Sequence, residues 1–126
     1  MSRWRTVAGL IAGVLLILSG AAHSLLGWKV QRAGLEAARA PADLILGLGL
    51  GWHFAGVAML TFGVIAIVLA AAAGRGRPVS LRPMLMIGVA YVGYGSWAMI
   101  ASGLEPFFLV FILPGVLLLA AAWGRP

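Results

Sequence analysis

Apolar positions gather into four runs, at about residues 6–26, 51–73, 84–103 and 106–123, separated by short stretches rich in arginine, glycine and proline. A helix needs roughly 20 apolar residues to cross the ~30 Å hydrocarbon core of a bilayer, and each run is close to that length. The pattern predicts an all-α integral membrane protein, a single domain built as a bundle of four transmembrane helices. Between the first two runs the pattern changes. Over about residues 28–40, Lys29, Arg32, Glu36 and Arg39 recur at helical spacing, with Val30, Leu35 and alanines opposite. This predicts a short amphipathic helix lying along the outer interface, with Arg32 and Glu36 spaced for a surface pair.

Local signals refine the boundaries. Pro41 breaks the amphipathic pattern, and Asp43 suits an N-cap for the helix that follows. Residues 44–73 are apolar or neutral throughout, a stretch of about 45 Å if it is one helix. Gly47, Gly49 and Gly51 each weaken that helix by about 1 kcal/mol relative to alanine, so a bend or a shallow membrane-entry segment is expected at residues 44–50. Residues 74–83 read as a loop, with Arg75, Arg77 and Arg82 among glycines and prolines. In the third run, Tyr91 and Tyr94 are suited to packing or to hydrogen bonding inside the bundle. Glu105 and Pro106 suit the start of the fourth run, and Pro114 predicts a kink within it.

Glycine placement predicts how the helices meet. At 100° per residue, Gly9, Gly13, Gly20 and Gly27 fall within about 40° of one another, and His23 shares their face. Gly49, Gly56 and Gly63 share the face of His53 in the same way. Small residues on one stripe let helix backbones approach closely in lipid, and Gly9 with Gly13 forms a GxxxG pair. Gly9, Gly13, Gly20 and Gly63 are therefore predicted packing positions.

Composition supports lipid as the solvent. Of the 126 residues, 63% are hydrophobic and 10% charged, which leaves almost nothing for a water-soluble domain. The net charge of +6 does not point to nucleic acid, because the basic residues fall in connections beside apolar runs, where they meet headgroups. With the N-terminus inside, Arg3, Arg5, Arg75, Arg77, Arg82 and Arg125 are cytoplasmic, while Lys29, Arg32 and Arg39 lie outside. This bias predicts a bacterial cytoplasmic (inner) membrane protein with both termini inside. Trp4 and Trp123 mark the inner interface, and Trp28, Trp52 and Trp97 the outer half. Arg3 and Arg5 before an apolar segment ending in small residues also imitate a signal peptide, but the retained first span is the preferred reading. The absence of cysteine excludes disulfides, thiolate metal sites and a cysteine nucleophile.

Candidate chemistry reduces to His23 and His53, the only histidines, placed at similar depth near the outer face. The segment Ala22-His23-Ser24-Leu25-Leu26-Gly27, together with Trp52-His53, resembles a group of uncharacterised small bacterial membrane proteins. Those have four predicted spans, an Ala-His-Ser-x-Leu-Gly segment closing the first and a Trp-His pair in the second. The resemblance implies that the two histidines belong together; it implies no activity.

Four function classes are open. Two imidazoles on adjacent antiparallel helices suit bis-histidine ligation of haem b for electron transfer, with Gly20 and Gly56 making room for the porphyrin. A metal ion held by His23, His53 and Glu105 is a variant of that idea. A small proton-coupled transporter is the next class, though no carboxylate lies inside the first run, and Glu105 is explained by capping. For an enzyme there is no P-loop, no His-Glu-x-x-His and no nucleophile elbow, and Ser24 beside His23 points about 100° away from it. The leading reading is an accessory or scaffold subunit that associates through glycine-lined helix faces with copies of itself or with a larger membrane complex.

Overall fold

The computed structural model describes residues 1–123, and Arg125 of the charge count lies outside them. The described residues form helices and connections, with no strand. Helix α1 spans Arg3–Ala22. It continues through a π-helical turn, His23–Gly27, into α2, Trp28–Ala37, so that Arg3–Ala37 is one unbroken helical path. The amphipathic segment is thus not a separate helix but the polar extension of the first. Its Arg32 Nε donates to Glu36 Oε1 at 2.8 Å across an exposed face.

A tight turn reverses the chain. Arg39 takes a left-handed conformation (φ 56°), and the N–H of Ala40 reaches back to the Leu35 carbonyl, closing the end of α2. Helix α3 then runs from Ala42 to Gly74 without a break. No bend or shallow segment forms at residues 44–50. Gly49 is occupied rather than free, since the ring of Trp28 rests on it and a Cβ there would lie 2.7 Å from the indole. The N-cap position falls on Pro41, and Asp43 sits in the first turn instead.

At the other end of α3, Gly76 (φ 76°) stops the helix, with the Arg77 N–H bonded to the Ala72 carbonyl. Helix α4 covers Arg82–Ala101. The following turn places Gly103 and Leu104 at positive φ and ends at Glu105, which is extended. Pro106 opens a 3₁₀ turn, Pro106–Phe108, that leads into α5, Leu109–Ala122. Pro114 lies buried within α5, where the missing N–H removes one rung of the helix.

Arg3–Ala37, Ala42–Gly74 and Arg82–Ala101 are long and apolar enough to cross a membrane, whereas Pro106–Ala122 is shorter. Counting 2.0 Å per residue for its 3₁₀ turn and 1.5 Å for the rest, this last element is still about 27 Å long.

Side by side, the helices follow the order α3, α1, α5, α4, with only a light contact closing α4 back onto α3. The α1–α3 contact is made backbone to backbone. A Cβ on Gly13 would lie 2.8 Å from the Gly63 carbonyl oxygen, one on Gly63 would lie 2.7 Å from that of Gly13, and Gly9 faces Ala70. Glycines missed in the sequence play the same part between α4 and α5, where Gly88 meets Gly115 and Gly95 meets Ile112. One core joins all four long helices, with Leu16, Met84 and Leu118 fully buried. Tyr91 packs edge-on against Phe62 of α3 and tilted against Phe111 of α5, linking three helices through its ring.

The four helices do not match in length. At 1.5 Å per residue, α3 is about 50 Å long and α4 about 30 Å, so the hairpin of α2 with the first part of α3 rises about 20 Å beyond its neighbours.

Candidate functional site

The two histidines stand where the hairpin leaves the four-helix core. His23 begins the π-helical turn, whose wider spiral bonds the Trp28 N–H to the His23 carbonyl across five residues. The same carbonyl accepts the indole Nε1–H of Trp52 at 2.7 Å. Two donors on one carbonyl fix the start of the turn to α3. The Trp52 ring then lies flat on the His23 imidazole, with centroids 4.4 Å apart and planes 4° from parallel. Trp28, one turn further on, tilts against Trp52 at 6.2 Å and meets His53 edge-on at 5.8 Å. Four rings thus form a continuous chain, His23 to Trp52 to Trp28 to His53.

An imidazole ligates through an in-plane ring nitrogen, so Trp52 stacked on the His23 face leaves that nitrogen edge free; what the ring chain changes is the space between the two imidazoles, where Trp52 and Trp28 stand. Gly20 and Gly56 leave no porphyrin gap either. A Cβ on Gly20 would lie 2.8 Å from the Gly56 carbonyl oxygen, and one on Gly56 would overlap the Ser24 hydroxyl. Their missing side chains serve helix contact. Nor does Glu105 join the histidines, since no group of three His, Asp or Glu side chains converges among the described residues.

Two features remain at this end. His23 Nε2 is buried without a hydrogen-bond partner, and a cavity of about 450 Å³ lies between α2 and α3, bounded by Trp28, Arg32, Glu36, Leu46, Leu50 and His53. His53 is exposed toward that cavity, while His23 is half-buried behind Trp52. Among the described residues no acidic or basic side chain is fully buried in the bundle, where Tyr91 supplies the one phenol of the core.

The outer face of α3 is the other candidate surface. Gly47, Gly51 and Phe54 lie within about 60° of one another on the helix wheel, opposite the side of Gly49 and Gly56 that meets the first helix. Nothing in the chain comes within 4 Å of a Cβ at Gly47 or Gly51, and Phe54 is 74% exposed. The sequence already holds this GxxxG pair. Three glycines at alternate positions there also suit a bend, which masks the pair as a helix face.

No protein-family model, curated protein or solved structure matches the chain.

Proposed function

We propose that this chain is a small subunit of a bacterial cytoplasmic membrane, inserted through four spans, that acts as an accessory or scaffold element by helix–helix association. The observation that carries the association is the open Gly47–Gly51 face on the part of α3 that rises past α4 and α5. Glycines 9, 13, 20, 56 and 63 are already used inside the chain, so they are not free to bind another helix. Gly47 and Gly51 are. A flat glycine pair allows a partner helix close backbone approach, and the exposed apolar side chains around it are covered when one docks. Leu44, Leu46 and Leu50 flank the pair, each exposed, and supply the packing around it.

Insertion is supported by the three long apolar helices and by a fourth of nearly membrane length. Orientation is supported by charge. Arg3, Arg5, Arg75, Arg77 and Arg82 cluster at one end of the bundle, and all three acidic residues, Glu36, Asp43 and Glu105, belong to the other. We place the first end in the cytoplasm on that charge bias. The cysteine-free chain makes both points testable with single reporters. Ala38→Cys should react with an impermeant maleimide in intact spheroplasts, and Ser80→Cys only after permeabilisation; the reverse result overturns the orientation.

For association, Gly47→Cys and Gly51→Cys should form disulfide-linked dimers or a defined heteromeric adduct in membranes, while Val89→Cys on exposed α4 should not. Gly51→Leu should abolish the species without unfolding the protein. A protein that stays monomeric at every concentration, cross-links nowhere and co-purifies with nothing would overturn the scaffold reading.

A further inference from the structure

The arginine end of the bundle holds a second, larger cavity, about 770 Å³, between the start of α1, the end of α3, the connection that follows it and the start of α4. Three arginines from three separate segments line it: Arg5 from α1, Arg77 from the connection and Arg82 from α4. Arg5 is held in place by a hydrogen bond from its Nε to the Ala121 carbonyl at 2.9 Å. Arg77 and Arg82 are exposed. No carboxylate side chain lines the cavity, because Glu36, Asp43 and Glu105, the only acidic side chains in the chain, all lie toward the opposite end.

Three like charges facing one space repel one another and are relieved when an anion neutralises them. Guanidinium groups suit phosphate in particular, because their planar forks give paired, charge-assisted hydrogen bonds. Ser80 adds a donor: its Oγ accepts the Arg82 backbone N–H at 3.4 Å, which leaves its own proton to give. The cavity is much larger than a bare phosphate and within the usual range for an organic ligand. Val79, Leu81 and Leu85 furnish apolar wall beside the cations, so the site suits an amphiphile rather than a small ion.

We infer that this cleft binds the phosphate of an anionic phospholipid, with the glycerol headgroup among Arg5, Arg77, Arg82 and Ser80 and the acyl chains leaving over the apolar exterior near Trp4 and Met86. Both of those side chains are exposed. The site lies at the end of the molecule remote from the Gly47–Gly51 face. It rests on membrane insertion but not on association, and insertion is scored separately by resistance of the wild-type protein to alkaline extraction.

The test uses the full chain in zwitterionic detergent, titrated with phosphatidylglycerol or phosphatidylcholine and read by native mass spectrometry. Phosphatidylglycerol should be retained and phosphatidylcholine lost. The double variant Arg77→Gln/Arg82→Gln should weaken retention by more than about tenfold. The matched control Arg3→Gln/Arg75→Gln removes the same charge outside the cleft and should change it by less than about threefold. Circular dichroism checks that both variants keep their helix content, and if the cleft pair unfolds, the single variant Arg77→Gln with control Arg75→Gln takes its place. Equal losses in cleft and control variants overturn the site, since general surface charge then explains the binding. Displacement of the lipid by millimolar inorganic phosphate overturns the lipid assignment in favour of a soluble anion.

Discussion

The two ends of this molecule are built on opposite principles. At the arginine end four helices share one core, and Leu16, Met84 and Leu118 have no exposed surface. At the hairpin end only α2 and α3 remain, and Leu46, Leu50 and Phe54 are each about two-thirds exposed or more. The first end has a shared interior beneath an apolar exterior, on which Val7, Ile11, Val68 and Val89 are each about half exposed. The second leaves its own to whatever surrounds it, and is held together by an aromatic chain and one indole hydrogen bond rather than by a core. Both ends expose apolar side chains, but only the hairpin end lacks a core beneath them, and that is where a partner is to be sought.

Substitutions can break this contrast. Gly63→Leu places a side chain where the Gly13 carbonyl already sits, so it should cost at least about 3 kcal/mol and separate α1 from α3, read as loss of resistance to SDS unfolding. Trp52→Ala removes the ring stacked on His23 together with the bond to its carbonyl and should cost about 2–3 kcal/mol. That loss should be confined to the hairpin, visible as faster amide exchange in residues 28–50 with the core unchanged. If Trp52→Ala instead loosens the whole bundle, the two ends are one cooperative unit and the contrast fails.

Finer changes sharpen it. His23→Phe keeps a flat ring against Trp52 and removes a buried nitrogen that has no partner, so stability should be unchanged or rise by about 1 kcal/mol. A fall of that size would mean the imidazole makes a bond to a group outside the chain. Smallest of all, Arg39→Gly relieves a left-handed residue at the hairpin turn and should stabilise by less than about 1 kcal/mol, measured by the same SDS titration.

The sequence was most informative where one helical period governs. Apolar runs located the long helices, and the phase of Gly9, Gly13 and Gly20 is the phase of the α1–α3 contact. The same rule applies to Gly88 and Gly95, seven residues apart in α4, and was there to be read. Other features have no local signature. Nothing near Trp28 says that its ring rests on Gly49, a contact made across the hairpin, and without it the three glycines of residues 47–51 look like a weak point rather than a socket and an outer face. The histidine pair shows the limit most clearly. Depth along the helices was enough to bring His23 and His53 to one region, but not to tell that Trp52 and Trp28 stand in the ring chain between them.

The π-helical turn at His23–Gly27 behaves as a one-residue insertion absorbed inside a helix. Tightening the turn to an ordinary spiral with no residue removed would swing everything beyond it by about 100°, so that Trp28 would leave Gly49 and the charged edge of Lys29, Arg32 and Glu36 would turn to a new side of the hairpin. Deleting one residue there, such as Leu25, would instead remove the wide turn and keep that bearing. The widened turn therefore holds the compass bearing of the whole outer tip against the extra residue, independently of how the four helices below it are packed.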